Sequence, residues 1–381
     1  MSIRVVFIIL AAYLSQVGAF LPSAVSHRIR PAAVASALSE REDIVRAKES
    51  LLGTRVPTRK WDIELFSPSK INLFLRIVRR RDDGFHDLAS LFQAINLSDK
   101  LSMSLLPEDA EDDTFECDME GVPVDRTNLV LRAVDIFRER TGNTRKFAIR
   151  LEKTVPAQAG LGGGSGNAAT ALWGCNELCK QHQQRGEGVV AMPACSEAEL
   201  VDMSKHLGSD ATFFLSQGTA YCTGRGEVVT PLAPLPRQGE GSAQTLVWVV
   251  KPFVGLSTPQ VFKALDLDSR STADPLSLLG LHTTGAEGSG LDKFVNDLEP
   301  PAFACVPDLA RLKEKLEKGY GFPVVSMSGS GTSIFCMGQP ASGGDGWQEE
   351  LEADESFPWP IKVFRTAFLN RPEGEWYSAG E

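Results

Sequence analysis

The 381-residue sequence predicts an α+β fold, and three observations predict it. Two-residue and 3.6-residue hydrophobic periods are mixed in both halves of the chain, with no internal repeat. Hydrophobic residues make up 43% and charged residues 23%, an ordinary globular balance with enough apolar material for a sizeable core. The length fits two domains better than one. The linker-like "PRQGEGSAQ", residues 236 to 244, marks the boundary and predicts domains over 59–240 and 241–381.

Regular patterning begins at Trp61. "WDIELFSPSKINLFLRIVRR" alternates apolar and polar residues on either side of a Ser-Pro break, as strands do. "RDDGFHDLASLFQAINLSDKLSMSLL" reads as a turn, a short apolar segment and another strand. "NLVLRAVDIFRERTG" has helical spacing and a Gly stop, and "KFAIRLEKTV" is a strand. A helix follows the glycine-rich stretch and runs to about Gln181. The segment 183–196 reads as a surface insertion. "SEAELVDMSKHLG" is helical, with Ser196 and Glu199 spaced as a capping box. "GTAYCTGRGEVVTPL" is a hairpin, "TLVWVVKP" a buried strand and "TPQVFKAL" a helix start. Residues 268 to 290 read as a long polar loop. "VPDLARLKEKLEKGYG" is an amphipathic helix, "FPVVSMSGSGTSIFCMG" a hairpin around a second glycine cluster, 338–358 another insertion and "IKVFRTAFL" a last strand.

Residues 1–58 stand apart. Arg4 precedes an apolar run, Val5 to Leu14, too short to span a bilayer, and small residues at Val17-Gly18-Ala19 suggest cleavage near Ala19. The next segment is rich in Ser, Ala and Arg and has no acid before Glu40, which is transit-peptide composition. The pair resembles the bipartite leader of proteins sent to complex plastids, and implies the plastid stroma. Plain secretion or a buried N-terminal helix are the bland readings. Seven scattered cysteines without CxxC pairs argue for reduced thiols and against secretion. A net charge of -10 disfavours nucleic acid as a partner. No membrane is expected for the mature form, and the chain is expected to be a monomer or weak homodimer.

The segment "LEKTVPAQAGLGGGSGNAATALWGCNEL", residues 151 to 178, carries the chemistry. Glycines let backbone approach a ligand closely, and the following helix offers unpaired N–H groups and a favourable dipole, so the pair suits a phosphate. It is not a P-loop, because Gly164 leads into Ser165-Gly166 rather than Lys-Ser/Thr. A Rossmann fingerprint fails too, since Ser165 or Asn167 stands where the last glycine belongs. A bare glycine-rich turn remains the bland alternative.

Five segments in order, "SPSKINLFL" (67 to 75), "DDGFHDLASLF" (82 to 92), "PAQAGLGGGSGNAAT" (156 to 170), "LGSDATFF" (207 to 214) and "SGSGTSIF" (328 to 335), resemble the GHMP small-molecule kinases. The likeness spans roughly Phe66 to Leu369. It implies the GHMP kinase fold, with an N-terminal domain like domain 2 of ribosomal protein S5 and a ferredoxin-like C-terminal domain. ATP with Mg2+ and a small cytidylated substrate would meet between them.

The resemblance also assigns roles. Asp210, by itself a helix N-cap, would accept the proton of the attacking hydroxyl. Lys70, by itself a solvated strand lysine, would face the cleft and stabilise the nucleophile and the transferring phosphoryl group. Pro156, Gly160, Leu161, Gly162, Gly163, Gly164, Ser165 and Asn167 would wrap the ATP phosphates, with Ser165 near Mg2+ and Asn128 at the nucleotide end. Gly166 departs from the family, where a second serine is usual. Asn72 would hold the diphosphate or polyol. Phe85 and His86 in "DGFH" match a cytosine pocket, an aromatic stacking on the base and an imidazole reading its edge, with Phe92, Thr258 and Phe262 as further pocket positions. Most relatives carry Tyr at Phe85. Gly329, Ser330 and Gly331 would close the cleft, although a tight hairpin turn explains them equally. Three alternatives stay open: a GHMP kinase for homoserine, mevalonate or a sugar, a non-catalytic metabolite-binding regulator, and an RNA-binding module.

Overall fold

The computed structural model describes residues 60–186, 192–236, 244–284 and 293–378. The leader and the centre of the 236–244 linker therefore lie outside the described residues. Six strands form the first sheet: β1 (Ile63–Arg80), β2 (His86–Leu105), β3 (Thr114–Cys117), β4 (Phe147–Glu152), β5 (Thr219–Gly224) and β6 (Val228–Pro231). β2 is its axis. β1 runs antiparallel along one edge, while on the other edge β5 pairs with residues 88–93 and β4 with residues 100–105. β3 lies parallel to β4. The expected Ser-Pro break does not divide β1. It is a register shift, with Pro68 opposite Ser98 and Ser69 opposite Ile95, which leaves Asn96 and Leu97 as extra residues on β2. A proline is tolerated there because β1 is an edge strand and the site is a bulge. The apolar segment and strand expected after "DGFH" are likewise one strand, β2.

Helices α1 (Leu129–Thr141), α2 (Gly163–Arg185), α3 (Glu197–Ser204) and the short α4 (Ala211–Phe214) cover one face of this sheet. Leu101, Met103 and Ile149 from the strands meet Val134, Phe137, Leu172 and Phe213 from the helices in one core. α2 runs four residues past its expected end, to the αL cap Gly186. It lies close on the sheet because Gly174 leaves room for Met103, whose sulfur would stand 2.4 Å from an added Cβ.

The second sheet contains β7 (Leu246–Pro252), β8 (Val324–Met327), β9 (Ile334–Met337) and β10 (Ile361–Ala367), antiparallel in the order β10-β7-β9-β8. Its helices are α5 (Thr258–Ala264), α6 (Pro275–Thr283), α7 (Glu299–Cys305), α8 (Asp308–Glu314) and α9 (Trp347–Glu352). α8 continues into a π-helical turn over Lys315–Gly319. Two expectations are corrected. Within the supposed polar loop 268–290, α6 starts at N-cap Asp274 with Pro275 in its first turn, and it buries Leu278 and His282. The supposed insertion 338–358 supplies α9, whose Trp347 and Leu351 complete a core with Trp248, Leu312 and Leu316.

The open edge of β1 decides where a site can form. Unpaired strand N–H groups need acceptors. Those of Lys70 and Leu75 donate to the carbonyls of Leu161 and Val295, and that of Ile77 to the Asp297 carboxylate. The N–H of Asn72 reaches Ser328 Oγ. The glycine-rich loop and the elements around the second sheet are thereby drawn onto one strand.

Candidate active site

The glycine loop is shaped by contacts that exclude side chains. Gly160 and Gly162 have φ of 73° and 69°, in the left-handed region. A Cβ on Gly160 would stand 2.2 Å from the Ser328 carbonyl oxygen, and one on Gly162 would press on the Lys70 and Phe214 side chains at 3.1 Å. Gly162 caps α2 without a side-chain bond, so the first N–H groups of the helix stay open. A groove of about 410 Å³ runs along this loop, from Asn128 past Pro156 to Ser165. Gly166 is explained by packing: its Cβ would stand 2.6 Å from the Pro68 carbonyl, at the β1 bulge.

Two residues expected at the nucleotide have their amides committed elsewhere. Asn128 Oδ1 caps α1 by accepting from the Val130 N–H at 2.9 Å, and its Nδ2 donates to the Pro123 carbonyl. Asn167 Nδ2 donates to Ser67 Oγ and Asp99 Oδ2, each at 2.8 Å, while Lys153 donates to its Oδ1. Asp99 also pairs with Lys153 and accepts from the Thr154 and Val155 N–H groups. This buried network fixes the start of the loop.

A larger cavity, about 1080 Å³, opens on the other side of the loop. Lys70 and Asp210 meet at its floor, with Nζ 3.3 Å from Oδ2. Lys70 is 3% exposed. Its ammonium also donates to Asn72 Oδ1 at 2.7 Å and lies 4.6 Å from the Phe92 ring centroid. Asn72 is fixed in turn by its Nδ2 bond to Ser90 Oγ at 2.9 Å. Asp210 occupies the N-cap position of α4, yet makes no capping hydrogen bond, so its carboxylate is left for the cavity. Phe92 packs edge-on against Phe213 and supports the lysine.

The far end of the same cavity holds aromatic groups. The His86 ring stacks on Phe262, with centroids 5.1 Å apart and planes at 27°. Burial, then the charge of Arg80, holds its imidazole below the ordinary histidine value. A neutral imidazole offers one donor and one acceptor. Phe85 is 55% exposed, with the Arg225 guanidinium 5.1 Å from its ring. Thr258 and Ser330 share a 2.7 Å hydrogen bond across the cavity wall. Gly329 and Gly331 have φ of 59° and 89°, and a Cβ on Gly329 would stand 3.4 Å from Asn72 Oδ1.

Sequence reasoning missed three supporting side chains, Ser90, Lys251 and Arg225, and took Ser328 only as one of the motif serines. Ser328 Oγ donates to the Gly160 carbonyl at 3.0 Å and so ties the two glycine clusters together. Its place in "SGSGTS" was the available signal. Lys251 donates to Thr332 Oγ1 and to the Gln158 carbonyl, a link that no local pattern announces.

Comparisons with known proteins place the chain in a family. Residues 128–218 match the GHMP kinases N terminal domain. The chain is 43% identical over 318 residues to the 4-diphosphocytidyl-2-C-methyl-D-erythritol kinase, chloroplastic/chromoplastic, of Solanum lycopersicum, covering 83% of this chain and 73% of that one. It is 40% identical over 319 residues to the kinase of the same name from Protochlamydia amoebophila, covering 84% and 94%. A crystal structure of 4-(cytidine 5'-diphospho)-2C-methyl-D-erythritol kinase aligns with a TM-score of 0.62 and 29% identity, over 81% of this chain and 100% of that one. At this identity and coverage, the chain belongs to the GHMP kinase family, in its 4-diphosphocytidyl-2-C-methyl-D-erythritol kinase branch.

Proposed function

We propose that this protein transfers the γ-phosphoryl group of ATP to the 2-hydroxyl of 4-diphosphocytidyl-2-C-methyl-D-erythritol, giving the 2-phosphate and ADP, in isoprenoid biosynthesis by the non-mevalonate pathway. One observation carries this reading. The Lys70–Asp210 pair and the His86–Phe262 stack line opposite parts of one cavity, beside the glycine loop. Such a cavity suits a ligand with a base at one end and a hydroxyl at the other.

In this reading, Asp210 accepts the proton of the attacking hydroxyl, and Lys70 sets its charge against the oxygens that become more negative as phosphoryl transfer proceeds. Asn72 holds Lys70 and orients the polyol. The open N–H groups of the glycine loop and of the first turn of α2 cradle the ATP phosphates. Asn128 and Asn167 act there by fixing backbone, since their amides are already bonded. Among the described residues, no three His, Cys, Asp or Glu side chains cluster as metal ligands. The donor set still fits Mg2+, which commonly rests on substrate phosphates with few protein ligands, and Ser165 is the residue we place beside it. Mg2+ bound there would neutralise phosphate charge. His86 reads the cytosine edge while Phe262, with Phe85, supplies stacking faces.

Among the described residues, no helix is long and apolar enough to cross a membrane. Chloroplastic names among the plant relatives and the transit-like composition of the leader support a plastid address. The bipartite, complex-plastid form of that leader and the domain boundary near residue 240 are parts of the same proposal.

The test is a phosphoryl-transfer assay on the cytidylated substrate, with mevalonate and homoserine beside it. Turnover of the cytidylated substrate alone is expected. Asp210→Asn should cut that turnover by about 100- to 10,000-fold and leave ATP affinity nearly intact. Equal turnover of the competing alcohols would end the substrate assignment, and normal turnover by Asp210→Asn would end that residue's role.

A further inference from the structure

The turn joining β5 to β6 lies between the two ends of the large cavity. Gly224 and Gly226, with φ of 69° and 111°, flank Arg225. On one side a Cβ on Gly226 would stand 3.6 Å from Asp210 Oδ1 and 3.8 Å from the Phe92 ring. On the other side the Arg225 guanidinium lies over the Phe85 ring. The turn is held by the Arg225 N–H, which donates to Glu227 Oε2 at 2.6 Å, and by the Gly226 N–H, which donates to the Thr223 carbonyl. The guanidinium itself is only loosely held, since its Nε is 3.8 Å from the Glu227 carboxylate.

The charge around the cavity is unlike that of the chain. The protein carries a net charge of -10. Yet the charged side chains lining the cavity, among the described residues, are Lys70, Arg80, Arg225 and Lys263 against the single carboxylate of Asp210. A cytidylated polyol has its base at one end, its reacting hydroxyl at the other and two phosphates between. With the base at His86 and Phe262 and the hydroxyl at Asp210, the diphosphate must cross the space between them. Arg225 is the cation whose backbone neighbour, Gly226, lies beside Asp210 and Phe92 and whose side chain lies over the Phe85 ring.

We infer that Arg225 is a specificity-determining residue. Its guanidinium donates to the substrate diphosphate while holding Phe85 over the base end, so that the β5–β6 turn couples recognition of the cytidine diphosphate to the position of Asp210. This rests on the substrate assignment made above. A planar fork of N–H donors suits phosphate oxygens better than an ammonium does. The cation–π contact with Phe85 gives the fork a resting place at the cavity mouth.

The experiment measures KM and kcat for Arg225→Gln, Arg225→Lys, Phe85→Leu and His86→Ala at two ionic strengths, with melting temperatures beside them. Because Arg225 is exposed, Arg225→Gln should melt like the parent. Its KM for the cytidylated substrate should rise by roughly 10- to 100-fold, as expected for losing hydrogen bonds to a charged group. Its KM for ATP should stay within about two-fold. The salt dependence of kcat/KM should flatten, and Arg225→Lys should recover part of the loss. Unchanged KM and salt dependence in Arg225→Gln, while His86→Ala raises KM, would overturn the inference and leave the substrate assignment standing. Equal losses in Arg225→Gln and Phe85→Leu with an unaltered salt response would reduce Arg225 to a prop for the ring, and overturn the diphosphate contact. Absence of turnover of the cytidylated substrate by the parent protein would overturn both.

Discussion

Gly166 stands where a side chain has no room. Its Cβ would meet the Pro68 carbonyl at 2.6 Å and the Phe214 ring at 3.4 Å. The missing serine is therefore tied to the local path of β1 at Pro68, two residues before Lys70, which lines the site. Gly166→Ser should push Pro68 away, lower stability by about 1–3 kcal/mol through overpacking, and reduce turnover by shifting Lys70. An unchanged melting temperature and unchanged turnover would show that the strand yields freely. Single residues were legible here only in combination. Lys70 by itself reads as a strand lysine and Asp210 as a helix cap; the structure pairs them at one cavity floor, where the glycine loop also bonds to β1 at the Lys70 N–H. Arg225 escaped because its contact with Phe85 is a tertiary one, and "GRGE" announces only a turn.

At the scale of elements, local physics marked most boundaries and failed where few residues are buried. The capping box of α3 is present in both of its bonds, because it depends on residues three apart. α6 was hidden because polar segments flank it on both sides and it buries only Leu278 and His282. With Leu278, His282 holds it to the core. Its ring stacks on Phe74 at 5.9 Å, meets Phe294 edge-on at 5.0 Å, and bonds the Lys293 carbonyl through Nε2 at 3.0 Å. Burial is the main cause that lowers its pKa to about 4, while the bond to the Lys293 carbonyl raises it and the Lys293 charge lowers it. Below the ordinary histidine value of 6.5, the unfolded chain takes up a proton that the folded chain refuses. Stability from this group is complete above pH 6.5 and is lost as pH falls toward 4. Relative to His282→Phe, the parent should lose roughly 1.4 kcal/mol per pH unit across that window in denaturant unfolding. Parallel curves for the two proteins would mean that His282 accepts its proton inside the fold.

The whole molecule is joined where the two glycine clusters meet, and a buried lysine sits behind that joint. Lys251 on β7 is 3% exposed. It donates to Thr332 Oγ1, just beyond "SGSG", and to the carbonyl of Gln158 at the start of the glycine-rich loop. Its partner on β10 is Lys362, which pairs with Glu352. Among the described residues, no carboxylate lies within ion-pair distance of Lys251. None of this was legible in "TLVWVVKP", which reads only as a buried strand and names no partner for its lysine. Both partners come from other parts of the chain and arrive only when the two sheets assemble. Burial lowers the Lys251 pKa from 10.5 to about 8. The folded chain therefore releases a proton that the unfolded chain keeps until about pH 10.5. Stability from this group is absent below pH 8, grows as pH rises and is complete near 10.5, opposite to the usual alkaline trend. Lys251→Met removes the titration and keeps much of the volume. Other alkaline groups, including the buried thiols, are common to both proteins and cancel in the difference. The parent should gain on Lys251→Met by roughly 1.4 kcal/mol per pH unit between pH 8 and 10.5, measured by denaturant unfolding. A difference that stays flat across this range would show that Thr332 and Gln158 stabilise the ammonium enough to offset its burial, and that the joint between the sheets is held by a charged tether throughout.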